Sequence, residues 1–240
     1  MAWAFPFPLA DWQSNKNDRI APSLGLLARE SLSFAYLRST ARFAGIVPLP
    51  VNGKGQQVIV FPGFMASDQT TARLRRSLSA AGFVAHGWGL GRNRGIKADI
   101  FERIDAQIDK LGIDTPVILV GWSLGGVIAR EYAKHAPRRV AKVVTLGSPF
   151  SGDPRANNAW RLYELVAGHK VDAPPVAVTL AEKPPVHTCA FWSAGDGVVA
   201  PSSARGLAHE SDQQIELDCT HMAFVGRPDA IKAIAKAIAG

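Results

Sequence analysis

The chain has 240 residues, 47% of them hydrophobic and 20% charged, which suits one folded α/β domain with a large core and excludes a disordered or low-complexity polymer. Its formal net charge is +7, but the basic residues fall in short groups (Arg73, Arg75 and Arg76; Arg92 and Arg94; Arg138 and Arg139) and no nucleic-acid motif accompanies them, so they read as a solvated surface with no nucleic-acid partner. The two cysteines, Cys189 and Cys219, form neither a disulfide framework nor a metal-ligand spacing, and no apolar run is long enough to cross a bilayer.

Residues 1 to about 18 are rich in aromatics and proline and read as an irregular arm, a poor signal peptide without a basic start or a continuous apolar stretch. A cytoplasmic, reducing location is therefore expected. From Leu24 to about Phe43 the residues are good helix formers, with Leu24, Leu27, Phe34 and Ala41 able to share a face. This segment is expected to pack on the domain, an oligomer contact being the other option, so residues 1–50 form an extension and 51–240 the main domain. Val58-Ile59-Val60-Phe61 is the first strong strand and ends in Pro62-Gly63-Phe64-Met65-Ala66-Ser67-Asp68, where Ser67 or Asp68 could cap the next helix, which carries Leu74 and Leu78. A short strand begins at Phe83. The glycine-rich loop from Gly87 to Gly95 follows, then an amphipathic helix marked by Ile100, Ile104, Ile108 and Leu111.

Val117-Ile118-Leu119-Val120 then leads into Gly121-Trp122-Ser123-Leu124-Gly125-Gly126, and a helical pattern follows at once. This is a strand, a sharp turn carrying Gly-x-Ser-x-Gly, and a helix. It is the context that exposes a serine hydroxyl above a sheet edge. Gly121 and Gly125 are needed because a side chain at either place would collide with the neighbouring strand or the turn. The backbone N–H of Leu124, at the start of the helix, would point to where an oxyanion forms. Further strands are expected at Val140–Leu146, at Cys189–Trp192 and at Ile215–Leu217, with a closing helix from Asp229 to Ala239. The segment 151–186 between them is irregular, with one helix around Trp160, Tyr163 and Val166. Alternating strands and helices predict an α/β fold with a mostly parallel sheet covered on both faces, and right-handed crossovers put the strand-end loops on one edge.

A serine hydroxyl needs a base, usually a histidine oriented by a carboxylate, and in this architecture the order is Ser, then Asp or Glu, then His. Of the later histidines, His135 lies in the helix after the serine, His169 and His187 lie in or beside the insert, and His209 precedes the last strand. His221 follows that strand on the edge of Ser123 and is the expected base. Asp196, flanked by glycines after the preceding strand, is the expected orienting acid. Asp153 is the alternative, and Asp218 is too close to His221 in sequence. A second oxyanion donor is expected at Phe64 N–H, with Met65 as the fallback.

The chain from about Val58 resembles an α/β-hydrolase of the lipase and esterase kind. The motifs that carry the resemblance are Pro62-Gly63-Phe64, Gly-Trp-Ser-Leu-Gly-Gly at 121–126, Gly147-Ser148-Pro149, Asp196-Gly197-Val198-Val199 and His221. The resemblance implies Ser123, Asp196 and His221 as a catalytic triad that hydrolyses esters through an acyl-enzyme. A His-Gly pair common at the oxyanion strand is Pro62-Gly63 here, which leaves the backbone donor in place. The insert is short for a cap domain. Its aromatic and aliphatic residues would either form a lid and acyl pocket or simply cover the sheet edge. Phe64, Met65, Trp122, Trp160 and Tyr163 favour an apolar acyl group, so a small-molecule or lipid ester is the expected substrate, with no metal or organic cofactor. The same triad also serves acyl transfer and thioester or amide cleavage, and a ligand-binding protein with a vestigial site is the non-catalytic alternative.

Two features are set aside. The loop at 89–95 lacks the G-x-G-x-x-G spacing of a dinucleotide site and reads as turn glycines, with Asn93 and the arginines near a substrate head group. Cys189 and Cys219 would lie out of register on neighbouring parallel strands and are expected to be free thiols.

Overall fold

A computed structural model describes residues 21–40 and 45–240, with side chains described outside 34–40. Six parallel strands form one sheet: β1 (Gln57–Phe61), β2 (Val84–Gly87), β3 (Val117–Trp122), β4 (Val140–Leu146), β5 (His187–Trp192) and β6 (Gln213–Glu216), in the order β2-β1-β3-β4-β5-β6. The described helices are α1 (Leu24–Thr40), α2 (Ala72–Ala80), α3 (Ile100–Lys110), α4 (Leu124–His135), α5 (Trp160–Ala167), α6 (Pro201–Arg205) and α7 (Pro228–Ala239). This is the parallel α/β architecture expected from the strand and helix pattern, and the α/β-hydrolase fold that the resemblance implies. Strand order reverses between β1 and β3, the crevice where ligands of open parallel sheets bind.

The central strands are runs of β-branched and aliphatic residues because both of their faces are covered. Alternation along each strand divides them between two cores. Val58, Val60, Ile118, Val120 and Trp122 point to the side packed by Leu74 and Leu78 of α2 and by Ile231, Ile234 and Ile238 of α7. Ile59, Phe61 and Leu119 point to the other side, against Ile100, Ile104 and Ile108 of α3 and Val127, Ile128 and Tyr132 of α4.

Two local expectations change. Neither Ser67 nor Asp68 caps α2, whose N-cap is Thr71 without a side-chain bond. Asp68 instead accepts Trp88 N–H at 3.0 Å and Gly89 N–H at 3.1 Å, tying the β1 exit to the β2 exit. Leu24 does not lie on a buried face of α1: it is 79% exposed, and among the described side chains of that helix the buried one is Glu30. The Phe34 side chain and Ala41 lie outside the described residues. Cys189 and Cys219 are free and buried, and burial pushes both thiols up to about 12.

The insert is bonded to the body. Lys134 Nζ of α4 donates to Thr179 O at 2.8 Å, and buried Arg130 donates to Glu182 O at 3.2 Å and Glu210 O at 2.9 Å. The Arg130 guanidinium lies 4.0 Å from the centre of the Phe150 ring. Burial lowers its pKa to about 10.

Candidate active site

The site is assembled from the C-terminal ends of four strands. At the end of β3, Ser123 has φ 55° and ψ −126°, a backbone conformation that non-glycine residues rarely adopt. The turn is held there by its surroundings. Ser123 N–H donates to Leu146 O at the end of β4 (2.9 Å), and Gly126 N–H donates to Ser123 O (2.9 Å). A Cβ on Gly121 would overlap the backbone of Gly126, and one on Gly125 would lie 2.5 Å from Phe61 O, so strand, turn and helix can meet only through glycine.

The β1 exit runs beside this turn. Phe61 pairs with Gly121 across the sheet, which sets Pro62-Gly63-Phe64 against Trp122-Ser123. A Cβ on Gly63 would come 3.2 Å from Ser123 Cβ. Met65 has φ 60°, and its N–H is committed to Asn93 O at 2.7 Å, which removes it as a fallback oxyanion donor. Leu124 N–H opens α4, where the helix supplies no carbonyl partner.

His221 follows β6 at the start of a 3₁₀ turn (His221–Val225), and Asp196 follows β5. His221 Nδ1 and Asp196 Oδ2 are 2.7 Å apart, and both residues are 2% exposed or less. The other carboxylate oxygen of Asp196 accepts Val198 and Val199 N–H, both at 2.8 Å, so Asp196 is oriented by its own turn. Burial disfavours the charged imidazole. The charge and hydrogen bond of Asp196, with Glu30 behind them, outweigh this and raise the His221 pKa. Gly147, with φ 55°, sits against the pair: a Cβ there would be 2.9 Å from Asp196 Oδ2 and 3.1 Å from His221 Nδ1.

The alternatives lie elsewhere. Asp153 accepts the N–H of Arg155 in its own loop, His135 stacks on Phe101, and His169 faces Ile96 O.

Beside Ser123 is a cavity lined by Phe64, Leu124, Val127, Trp160, Tyr163 and Val199, among others. Trp160 and Tyr163 both line this cavity, and the Phe64 and Tyr163 rings are 5.4 Å apart. Met65 and Trp122 are not part of this lining. Met65 is 37% exposed, whereas Trp122 is buried on the opposite face of the sheet, beneath His221, where its Nε1–H donates to His221 O at 3.1 Å. Alternation along β3 is the reason, since the residue before Ser123 points away from the serine side. Asn93 is not a head-group contact either. It is buried, donating through Nδ2 to Pro62 O at 2.8 Å and accepting Gly95 N–H at 3.2 Å, a brace for the β1 exit.

Two residues at this edge, Ser193 and Glu30, escaped the sequence reading. Ser193 donates to Cys219 O at 2.6 Å and accepts Cys219 N–H at 3.2 Å, joining the loops that carry Asp196 and His221. A small hydroxyl residue just after a strand was its only signal. Gly147 entered that reading only within the Gly147-Ser148-Pro149 motif, without its place against the Asp196–His221 pair. Glu30 had no local signal. Among the described residues no group of three or more His, Cys, Asp or Glu side chains is arranged to hold a metal ion, and no helix is long and apolar enough to cross a membrane.

Comparison with known proteins agrees with this architecture. A curated pimeloyl-(acyl-carrier protein) methyl ester esterase from Shewanella woodyi is 30% identical over 111 residues, which is 45% of this chain and 42% of that protein. The enzyme of the same description from Salmonella heidelberg is 42% identical over 60 residues, 25% of this chain and 23% of that protein. The matches thus span less than half the length of these relatives. Among solved structures, a putative non-heme bromoperoxidase, BpoC, from Mycobacterium tuberculosis shares the fold with TM-score 0.57 and 18% identity over 82% of this chain and 97% of that one. The carboxylesterase CesB from Bacillus subtilis does so with TM-score 0.56 and 14% identity over 89% of this chain and 98% of that one. The sequence profile of the alpha/beta hydrolase fold matches residues 39–173, more than half of the chain, and the chain belongs to that family.

Proposed function

We propose that this protein is a serine hydrolase that cleaves carboxylic esters through an acyl-enzyme. The observation that carries the reading is the strained turn of Ser123 on the same sheet edge as the buried Asp196–His221 pair. A strained backbone at a half-buried serine is retained where the surrounding structure over-determines it, and such sites are commonly functional. The esterase names of the curated relatives support an ester as the bond cleaved.

In this reading Ser123 Oγ attacks the ester carbonyl carbon while His221 Nε2 takes its proton. Asp196 holds Nδ1–H and favours the imidazolium. The carbonyl oxygen becomes an oxyanion and accepts the N–H groups of Phe64 and Leu124. Collapse breaks the ester C–O bond, and the alcohol leaves with the proton from His221. Water then attacks the acyl carbon as His221 takes one of its protons; collapse breaks the bond from the acyl carbon to Oγ, His221 returns the proton to Ser123 Oγ, and the acid leaves. The cavity lined by Phe64, Val127, Trp160 and Tyr163 suits an apolar acyl chain from a small-molecule or lipid ester.

The test is fluorophosphonate labelling of wild type and Ser123→Ala, followed by p-nitrophenyl esters of rising acyl length. A single adduct on Ser123 that is absent from the variant is expected, with turnover of the esters. A folded wild type that neither labels nor turns over, with or without detergent, rejects the hydrolase in favour of a binding protein.

A further inference from the structure

Glu30 lies on α1, far in sequence from the elbow, yet it is only 4% exposed. Its Oε1 accepts Gly197 N–H at 3.0 Å and His221 N–H at 2.6 Å, and its Oε2 accepts Met222 N–H at 3.1 Å. Gly197 directly follows Asp196, so one carboxylate grips the backbone of both loops that supply the acid and the base. No ion pair joins Glu30 to a cation among the described residues. A buried carboxylate without a cation is expensive unless hydrogen bonds satisfy it, and here three backbone donors do.

The neighbourhood is built for this contact. Thr220 Oγ1 donates to Ser33 Oγ at 2.9 Å, one residue before His221. Asn158 Nδ2 bridges Pro22 O at 3.0 Å and Gly197 O at 2.8 Å, fixing the start of α1 to the same turn. The charged groups that face His221 are Asp196, from the turn after β5, and Glu30, from α1. β3 presents the Trp122 ring, the 3₁₀ turn presents Phe224, and β4 presents the backbone of Gly147. The nearby Cys219 thiol is buried and stays neutral, its pKa pushed up to about 12.

We propose that Glu30 is a positioning residue: its carboxylate locks the Asp196 and His221 loops together and places a second negative charge behind the imidazole. This rests on the hydrolase reading for its effect on turnover, though not for its effect on the imidazole. An amide cannot replace the carboxylate, because Gln has one acceptor oxygen and would turn an N–H donor toward a backbone N–H.

The test uses the full chain with Glu30→Gln, and Glu30→Asp, which keeps the charge but is one methylene shorter. In Glu30→Gln, kcat on a p-nitrophenyl ester is expected to fall about ten- to hundredfold with KM within about twofold, the loss that a small misplacement of a catalytic group brings. The acid limb of kcat/KM is expected to move to lower pH. Independently, NMR titration of the His221 ring in a Ser123→Ala background should show a lower pKa when Glu30→Gln is added, and a smaller shift with Glu30→Asp. An unchanged ring pKa and unchanged kcat in Glu30→Gln overturn the proposal, even if the melting temperature falls, because a purely structural contact would alter stability alone. Should Glu30→Gln not fold, Glu30→Asp is expected to lower kcat with KM held, and wild-type kcat in it overturns the proposal. An inactive, unlabelled wild type ends the hydrolase reading, and the ring titration then decides for or against Glu30 by itself.

Discussion

The backbone of Leu26 in α1 stands against the Cα of Gly197, where a Cβ would lie 2.5 Å from the Leu26 carbonyl carbon and 2.8 Å from Leu27 N. Backbone atoms cannot step aside as a flexible side chain can. Gly197→Ala is therefore expected to lift α1 from the Asp196 turn and destabilise the protein by about 1–3 kcal/mol. Calorimetry should show a melting temperature several degrees lower, with a parallel loss of kcat. An unchanged melting temperature would mean that α1 does not seat on Gly197.

The strained turn at Ser123 separates stability from activity. Ser123→Ala and Ser123→Gly both remove the hydroxyl and are expected to abolish turnover. Only glycine also relieves the φ of 55° and ψ of −126°. Ser123→Gly should be more stable than Ser123→Ala by about 1 kcal/mol, read as a higher urea midpoint at equal slope. Equal midpoints would mean that the turn stores no strain.

The raised pKa of His221 sets the sign of the pH dependence. The base must be neutral to accept the serine proton, so the acid limb of kcat/KM is expected above pH 6.5, the ordinary histidine value. Asp196→Asn removes both the charge and the acceptor. It should shift that limb to lower pH and reduce kcat by about 10⁴-fold, as loss of an orienting acid does elsewhere. Because the folded pKa lies above the unfolded one, the protonated pair stabilises the fold fully below about pH 6.5, and this contribution is lost as pH rises through the folded value. The stability gap between wild type and Asp196→Asn should therefore be larger at about pH 6 than at about pH 9 in urea titrations. A gap that widens with pH would contradict the direction of the shift.

Asn93→Ala tests whether the β1 exit needs its brace. The substitution leaves Pro62 O and Gly95 N–H without partners in a buried site. About 1–3 kcal/mol of stability should be lost, and kcat should fall more than KM rises, since the proposed Phe64 donor would act on the transition state and not on ground-state binding. A rise in KM alone would assign Asn93 to substrate binding instead.

How much the sequence revealed depends on the range of the contact. The elbow was legible because Gly121, Ser123 and Gly125 lie within five residues, and their constraint is local backbone geometry. Asp196 and His221 were legible because chain order in a parallel sheet fixes which loops share an edge. Trp122 and Met65 were misplaced because apolar character does not say which way a side chain faces. Alternation along β3 sends Trp122 under His221, and Met65 lies 37% exposed outside the cavity lining. Glu30 was invisible for a different reason. It sits in a helix with no clear apolar stripe, and its partners at Gly197 and His221 lie 167 and 191 residues away. Nothing in its neighbours announces such a contact.

That distance has a consequence for when reactivity can arise. The elbow of Ser123 is braced by the neighbouring ends of β1 and β4, but the proposed base and the carboxylate gripping it come from far apart in the described chain. An unfinished or clipped chain can therefore display the serine without the machinery that would arouse it. On the proposed mechanism, the serine lacks its base until late and early segments have met, and ester turnover would read out chain integrity.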